Sequence, residues 1–215
     1  MKKKIIAICL CAALLAIAIV GGTLAYFTDT KTAENTFTMG NVRIVLDEAD
    51  VNGGTERVAQ NEYEVYPGKV VDKDPTVHNT GKNGAYLRAR VTVSGWLDLV
   101  QTCYKEELAG LSFPSQAYAE KALGLLIDSL GEGWSVAGVE AGTGEKASDA
   151  CFLLKYDGIL AAGADTAPMF TKATIPAGLT NASADTFQYI NVVAEAIQAN
   201  GFDSWEAAFS AFDAG

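Results

Sequence analysis

Histidine is almost missing from this chain: there is one, His78, in 215 residues. A catalytic zinc site usually takes three protein ligands, often two or three of them histidine. No H-E-x-x-H stretch occurs, so a zinc hydrolase of that design is excluded. A Ser-His-Asp triad would have to use His78, and no G-x-S-x-G elbow supports one. His78 sits beside a run of turn residues and reads as a surface or turn histidine. Basic charge is also short. Lys and Arg number 16 against 26 Asp and Glu, a formal net charge of −10. Such a surface repels nucleic acid and anionic lipid, which makes both poor partners. Cysteine is sparse: Cys9 and Cys11 lie in the first apolar run, leaving only Cys103 and Cys151. Either could in principle pair with His78 as a nucleophile, but a structural thiol is the plainer reading.

Glycine is plentiful, yet "GTGEKAS" lacks the full phosphate-loop pattern and its strand-to-helix setting. The acidic clusters Asp47, Glu48, Asp50 and Asp72, Asp74 do not fit a twelve-residue calcium loop and read as solvated turns. Asn181-Ala182-Ser183 matches a glycosylation sequon, a pattern too short to carry an argument alone. There are no internal repeats and no low-complexity tract. No cofactor is implied, and nothing forms a recognisable active site.

What is present begins with an export signal. Lys2, Lys3 and Lys4 precede an apolar run from Ile5 to Val20, then Gly21 and Gly22, then small residues at Thr23 and Ala25. This is the layout of a secretory signal peptide, with cleavage expected between Ala25 and Tyr26. An uncleaved anchor is the competing reading, since the run is near the lower limit for a membrane span. Cleavage would leave about 190 residues, one domain over 26–215, with a net charge of about −13. In an exported chain, Cys103 and Cys151 can form one disulfide or remain two buried thiols.

Short alternating runs dominate the rest. Val42, Ile44 and Leu46 share one face of a strand from Asn41 to Leu46, followed by a turn at Asn52-Gly53-Gly54. "AYLRARVTV" is the clearest strand: Leu87, Ala89, Val91 and Val93 face one way, Tyr86, Arg88, Arg90 and Thr92 the other. Arg88 and Arg90 could form a binding stripe, but cross-strand pairing with acids is more ordinary. "ACFLLKYDGIL" reads as a strand pair or one bulged strand. "DTFQYINVVAEAIQ" reads as a long strand with Ile190, Val192, Ala194 and Ala196 on one face.

Between them, residues 97–130 read as a helical insertion, with Ser115 as N-cap and Gly131 as the stop. The tail "GFDSWEAAFSAF" reads as a short helix covering an open end of the core. Asp203 and Glu206 stand where a capping box would be. Trp205, Ala208, Phe209 and Phe212 form its apolar stripe. The expected fold is mainly β, an antiparallel β-sandwich with a helical insertion and a short C-terminal helix.

The stretch "GGTLAYFTDTKTAENTFTMGNVRIVLDE" resembles the N-terminus of the TasA/camelysin family of Gram-positive bacteria. "VYPGKVVDKDPTVHNTGKNGAYLRARV", "GADTAPMFTKATIP" and "FQYINVVAEAIQANGFDSWEAAF" look like the same broad group. The resemblance runs to about residue 95 and resumes near residue 151. It implies a jelly-roll-like sandwich, a signal handled by a SipW-type signal peptidase, and a secreted protein of the biofilm matrix or cell surface. It also implies self-association into fibres, in which the N-terminal segment of one subunit completes the sheet of the next. The matching segment here is Tyr26 to Met39, with Tyr26, Phe27, Phe37 and Met39 as the side chains to insert. Pairing of that segment within its own subunit needs the same residues. The camelysin name also implies a surface metallopeptidase, which the missing ligands speak against. A monomeric adhesin is the remaining alternative.

Overall fold

A computed structural model describes residues 41–214, and the account below concerns these. The expected cleavage site at Ala25 and Tyr26 and the proposed assembly residues Tyr26, Phe27, Phe37 and Met39 lie outside them. The strands are β1 (Ile44–Ala49), β2 (Arg57–Val58), β3 (Val70–Asp72), β4 (Thr76–Asn79) and β5 (Ala85–Val93). They are followed by β6 (Trp134–Ala141), β7 (Ala150–Tyr156), β8 (Lys172–Thr174) and β9 (Ile190–Gln198). The α-helices are α1 (Trp96–Thr102), α2 (Gln116–Leu123), α3 (Asn181–Ala184) and α4 (Trp205–Ala214).

The alternation in β5 decides the architecture. Leu87, Ala89, Val91 and Val93 are wholly buried. Strand β5 sits inside the four-stranded antiparallel sheet β6-β7-β5-β9, with that face on the core. Val91 stands opposite Phe152 of β7 on one side and Val192 of β9 on the other. Ile190, Val192, Ala194 and Ala196 pack onto the same core, the face expected for them. A second sheet has the order β2-β1-β4, and β3 pairs with β8 in a third, all antiparallel. Val42, Ile44 and Leu46 turn inward from the second sheet. The protein is therefore mainly β with antiparallel pairing, consistent with a sandwich. These pairings are coarser than the jelly-roll order that the family resemblance implies.

The helices close the core. Trp96 of α1 is fully buried, meets Phe152 edge-on at 5.4 Å and donates from Nε1 to the Tyr118 hydroxyl of α2 at 2.9 Å. That bond matters because an indole N–H buried without an acceptor is costly. Gly95 begins α1 at φ 60°, and a Cβ there would stand 2.7 Å from Thr186 atoms. Ser115 caps α2, its side chain accepting from Tyr118 N at 3.1 Å.

Several expectations are corrected. Helix α2 ends at Leu123, not at Gly131. Gly131 instead lets the chain pass the Pro168 carbonyl, where a Cβ would come within 2.0 Å of the oxygen. The irregularity assigned to "ACFLLKYDGIL" belongs to its neighbour: β7 is regular, and β6 shifts register between Val136 and Gly138. The strand expected from Asp185 begins at Ile190, preceded by α3, whose start is a Thr180–Ser183 capping box. Helix α4 is capped by Ser204, whose hydroxyl accepts from Ala207 N at 3.1 Å, rather than by Asp203. It does not close an end of the main core. Ala208 and Phe209 form a separate cluster with Tyr86 and Ala199. Tyr86 lies on the face of β5 opposite the core, so α4 covers the outer side of the four-stranded sheet.

Candidate functional site: an open groove and the charged strand beside it

Among the strand edges that lack a partner among the described residues, those of β9 and β1 lie beside each other. Strand β9 ends the four-stranded sheet and pairs only with β5. Residues Ile44–Asp47 of β1 pair only with β4, because β2 reaches only Glu48 and Ala49. Between β1 and the start of β9 runs a groove of about 820 Å³. Its apolar lining includes Leu46, Val71, Ile175, Phe187, Ile190 and Val192. Residues 59–63 and Val65, which follow β2, form another wall. Unpaired N–H and C=O groups on a strand edge are a ready template for one more strand.

Polar groups interrupt the apolar lining. Glu48 is 5% exposed, and its carboxylate takes Lys73 Nζ at 2.7 and 3.0 Å. Lys73 also lies over the Tyr63 ring, 5.6 Å from its centroid. The Tyr63 hydroxyl is buried and has no hydrogen-bond partner. Burial, then the negative charge of Glu48, pushes the phenol up to about 12. Asn61 exerts a smaller downward pull, but its amide is already bonded to Ala49 and Val51 and does not satisfy the hydroxyl.

The opposite face of β1 carries a denser network. Arg57 of β2 bonds Asp47 and Asp74, the latter at 2.9 Å, and also the main-chain oxygens of both. His78 of β4 holds two carboxylates: Nδ1 lies 2.7 Å from Asp165 and Nε2 3.0 Å from Asp47. Burial opposes the charge on His78, but the bonds to Asp165 and Asp47 outweigh it and raise the imidazole above its ordinary 6.5. Burial likewise opposes the charge on Asp47, and its bonds to Arg57 and His78 outweigh that and hold it below 3.8. His78 is thus a strand residue rather than a turn residue. Asp47, Glu48 and Asp74 are paired side chains rather than solvated turns, because basic partners 10 to 25 positions away reach them. Asp50 does cap its own turn, accepting from Asn52 N and Gly54 N.

Arg88 and Arg90 pair with acids, as the ordinary reading had it. Arg88 is 5% exposed, bonds Glu195 across to β9 at 2.6 Å, and takes both carboxylate oxygens of Asp213 from α4. Its guanidinium stacks 4.5 Å from the Phe209 ring centroid. Arg90 reaches Glu140 at 2.6 Å. The disulfide candidates are both free. Cys103 ends α1 and packs against the core. Cys151 lies on β7 between the core residues Ala150 and Phe152, opposite Thr92, and therefore faces away from the core. The sheet separates the two thiols.

Residues 1–87 match the family model described as camelysin metallo-endopeptidase. Over that stretch the chain is similar to the camelysin family. The match spans β1 to β4 and enters β5; the similarity read in the last third of the chain lies beyond it. No curated protein and no solved structure matches. The camelysin name implies a metal ion. Among the described residues, no three His, Cys, Asp or Glu side chains gather to hold one. Both nitrogens of His78 are already committed to carboxylates. The donor set present there does not fit a catalytic zinc, whose histidine ligands must offer a free lone pair. Among the described residues, no helix is long and apolar enough to cross a membrane.

Proposed function

We propose that the chain is a secreted structural protein of the cell surface or biofilm matrix, exported through cleavage between Ala25 and Tyr26. In this reading it assembles into fibres by donating the Tyr26–Met39 segment to a neighbouring subunit. A SipW-type signal peptidase releases the segment, which before cleavage is tethered at the membrane. The observation that carries the reading is the groove between the open edges of β1 and β9. An added strand would pair with one of these edges through main-chain hydrogen bonds and place alternate side chains, Phe37 and Met39 among them, against the apolar lining. Head-to-tail exchange of this kind does not close on itself and gives open filaments. The camelysin match supports placement at the surface or outside the cell.

Electron microscopy of the mature protein, with and without Tyr26–Met39, tests the proposal. Fibres that vanish with the segment are the expected result. The reading fails if no fibres form and truncation leaves the oligomeric state unchanged. The family's name favours a second reading, a surface metallo-endopeptidase. Peptide cleavage abolished by a chelator, with stoichiometric bound metal, would establish that reading in its place.

A further inference from the structure

The same groove is bordered by β1, which a single histidine helps to hold. Strand β1 is held on its β4 side by main-chain pairing and by side chains converging on Asp47. His78 contacts two carboxylates at once, one from β1 and one from the segment that bridges β4 at Asp165. A neutral imidazole has one N–H and one lone pair. It can donate to only one of the two carboxylates, and its lone pair would then face the other. Two carboxylate partners within 3.0 Å are satisfied together only by the imidazolium, which donates from both nitrogens. The other charged groups in the cluster do not change this logic. Arg57 already serves Asp47 and Asp74 together, and Asp74 also accepts from Ala49 N at 2.7 Å. With His78 neutral, Asp47 and Asp74 keep Arg57, while Asp165, whose ion-pair partner is His78, is left to solvent.

We propose that His78 is a proton-operated latch on the groove. As imidazolium it ties β1 and the Asp165 segment to β4, and its deprotonation frees one carboxylate and loosens the β1 edge. This rests on the reading of the groove as the assembly site, and it adds regulation: assembly is favoured on the acid side of the His78 titration. A pre-positioned edge spares an incoming strand the cost of ordering it.

The test uses the mature protein and His78→Gln. Nitrogen-15 spectra of the single histidine report its protonation without reference to fibres. The imidazole should lose its proton above its ordinary 6.5, and a titration at or below that value overturns the latch. Thermal melts should show wild type above His78→Gln at pH 6, with the gap closing as pH rises through the His78 titration. A gap independent of pH overturns it. Asp165→Asn should lower the pH at which the histidine loses its proton; no shift overturns the pairing of His78 with two carboxylates. Fibre formation should weaken about tenfold in wild type across that titration, while His78→Gln shows no pH dependence. Fibres with equal pH response in both proteins overturn the regulatory step but leave the assembly reading standing. A titrating latch in a protein that never forms fibres overturns its coupling to assembly, and the assembly reading falls with it.

Discussion

The four-stranded sheet and the β1–β2–β4 sheet are held by different forces. Around β5, stability comes from burial: an uninterrupted apolar face, Trp96 wedged on Phe152, and α4 latched to the outer side through Arg88. Around β1, the strands are short and much of the cohesion is ionic, through Arg57, His78 and the Glu48–Lys73 pair. The first region covers both faces of β5 with its own chain, although its β9 edge stays open. The second leaves edges open, and it is the one that the camelysin match covers. Under the proposed assembly, a region that accepts another strand cannot bury all its apolar surface beforehand.

Substitutions should expose this contrast. The largest effect is expected from Trp96→Ala, about 4 kcal/mol of stability lost in urea denaturation, because it removes a fully buried ring and strands the Tyr118 hydroxyl. Arg88→Ala should cost about 3 kcal/mol, since Glu195 loses its partner and α4 its anchor; loss of α4 helicity by circular dichroism checks the second part. Arg57→Ala should cost only about 1 kcal/mol, because its ion pairs are partly solvated, and it should disturb amide exchange in β1 and β2 while leaving β5 protected.

The pH response should divide the two regions as well. His78 has a raised folded value, so its contribution is complete below about 6.5 and is lost as pH rises through that folded value. Asp47 has a lowered value, so its contribution is present above about 4 and is lost as pH falls through its folded value. The β1 sheet should therefore be firmest between those limits, as local hydrogen exchange at several pH values would show. Asp128 adds an acid limb elsewhere. Burial raises its pKa, but the bonds from Thr171 and Lys172 outweigh that and bring it down to about 2. The tie between Asp128 and β8 should loosen below about pH 4 and be lost near pH 2. The smallest effect is expected from Tyr63→Phe, which removes an unsatisfied hydroxyl and should leave melting unchanged or raised by a degree or two.

The same contrast explains what could be read from sequence. Period-two alternation is local, so β5 and the inward face of β9 were legible residue by residue. The Ser115 cap was legible for the same reason. The ion pairs of the β1 region join residues far apart in the chain, and a sequence displays such charges without their partners. Asp47, Glu48 and Asp74 therefore looked like solvated turns, and His78 like a turn residue. Arg57 carried no local signal at all. Gly131 was misread because its reason, a close pass by Pro168, is also non-local. Helix α3 is a single turn, too short for periodicity to register. The groove could not be foreseen, because it is made by two edges nearly 150 positions apart.

The most direct test puts a photo-crosslinking residue in place of Val192, on the groove wall, in the otherwise intact mature protein. The account predicts covalent dimers whose adduct maps within Tyr26–Met39 of the second subunit. Fibres that form normally while the adduct maps elsewhere would contradict it.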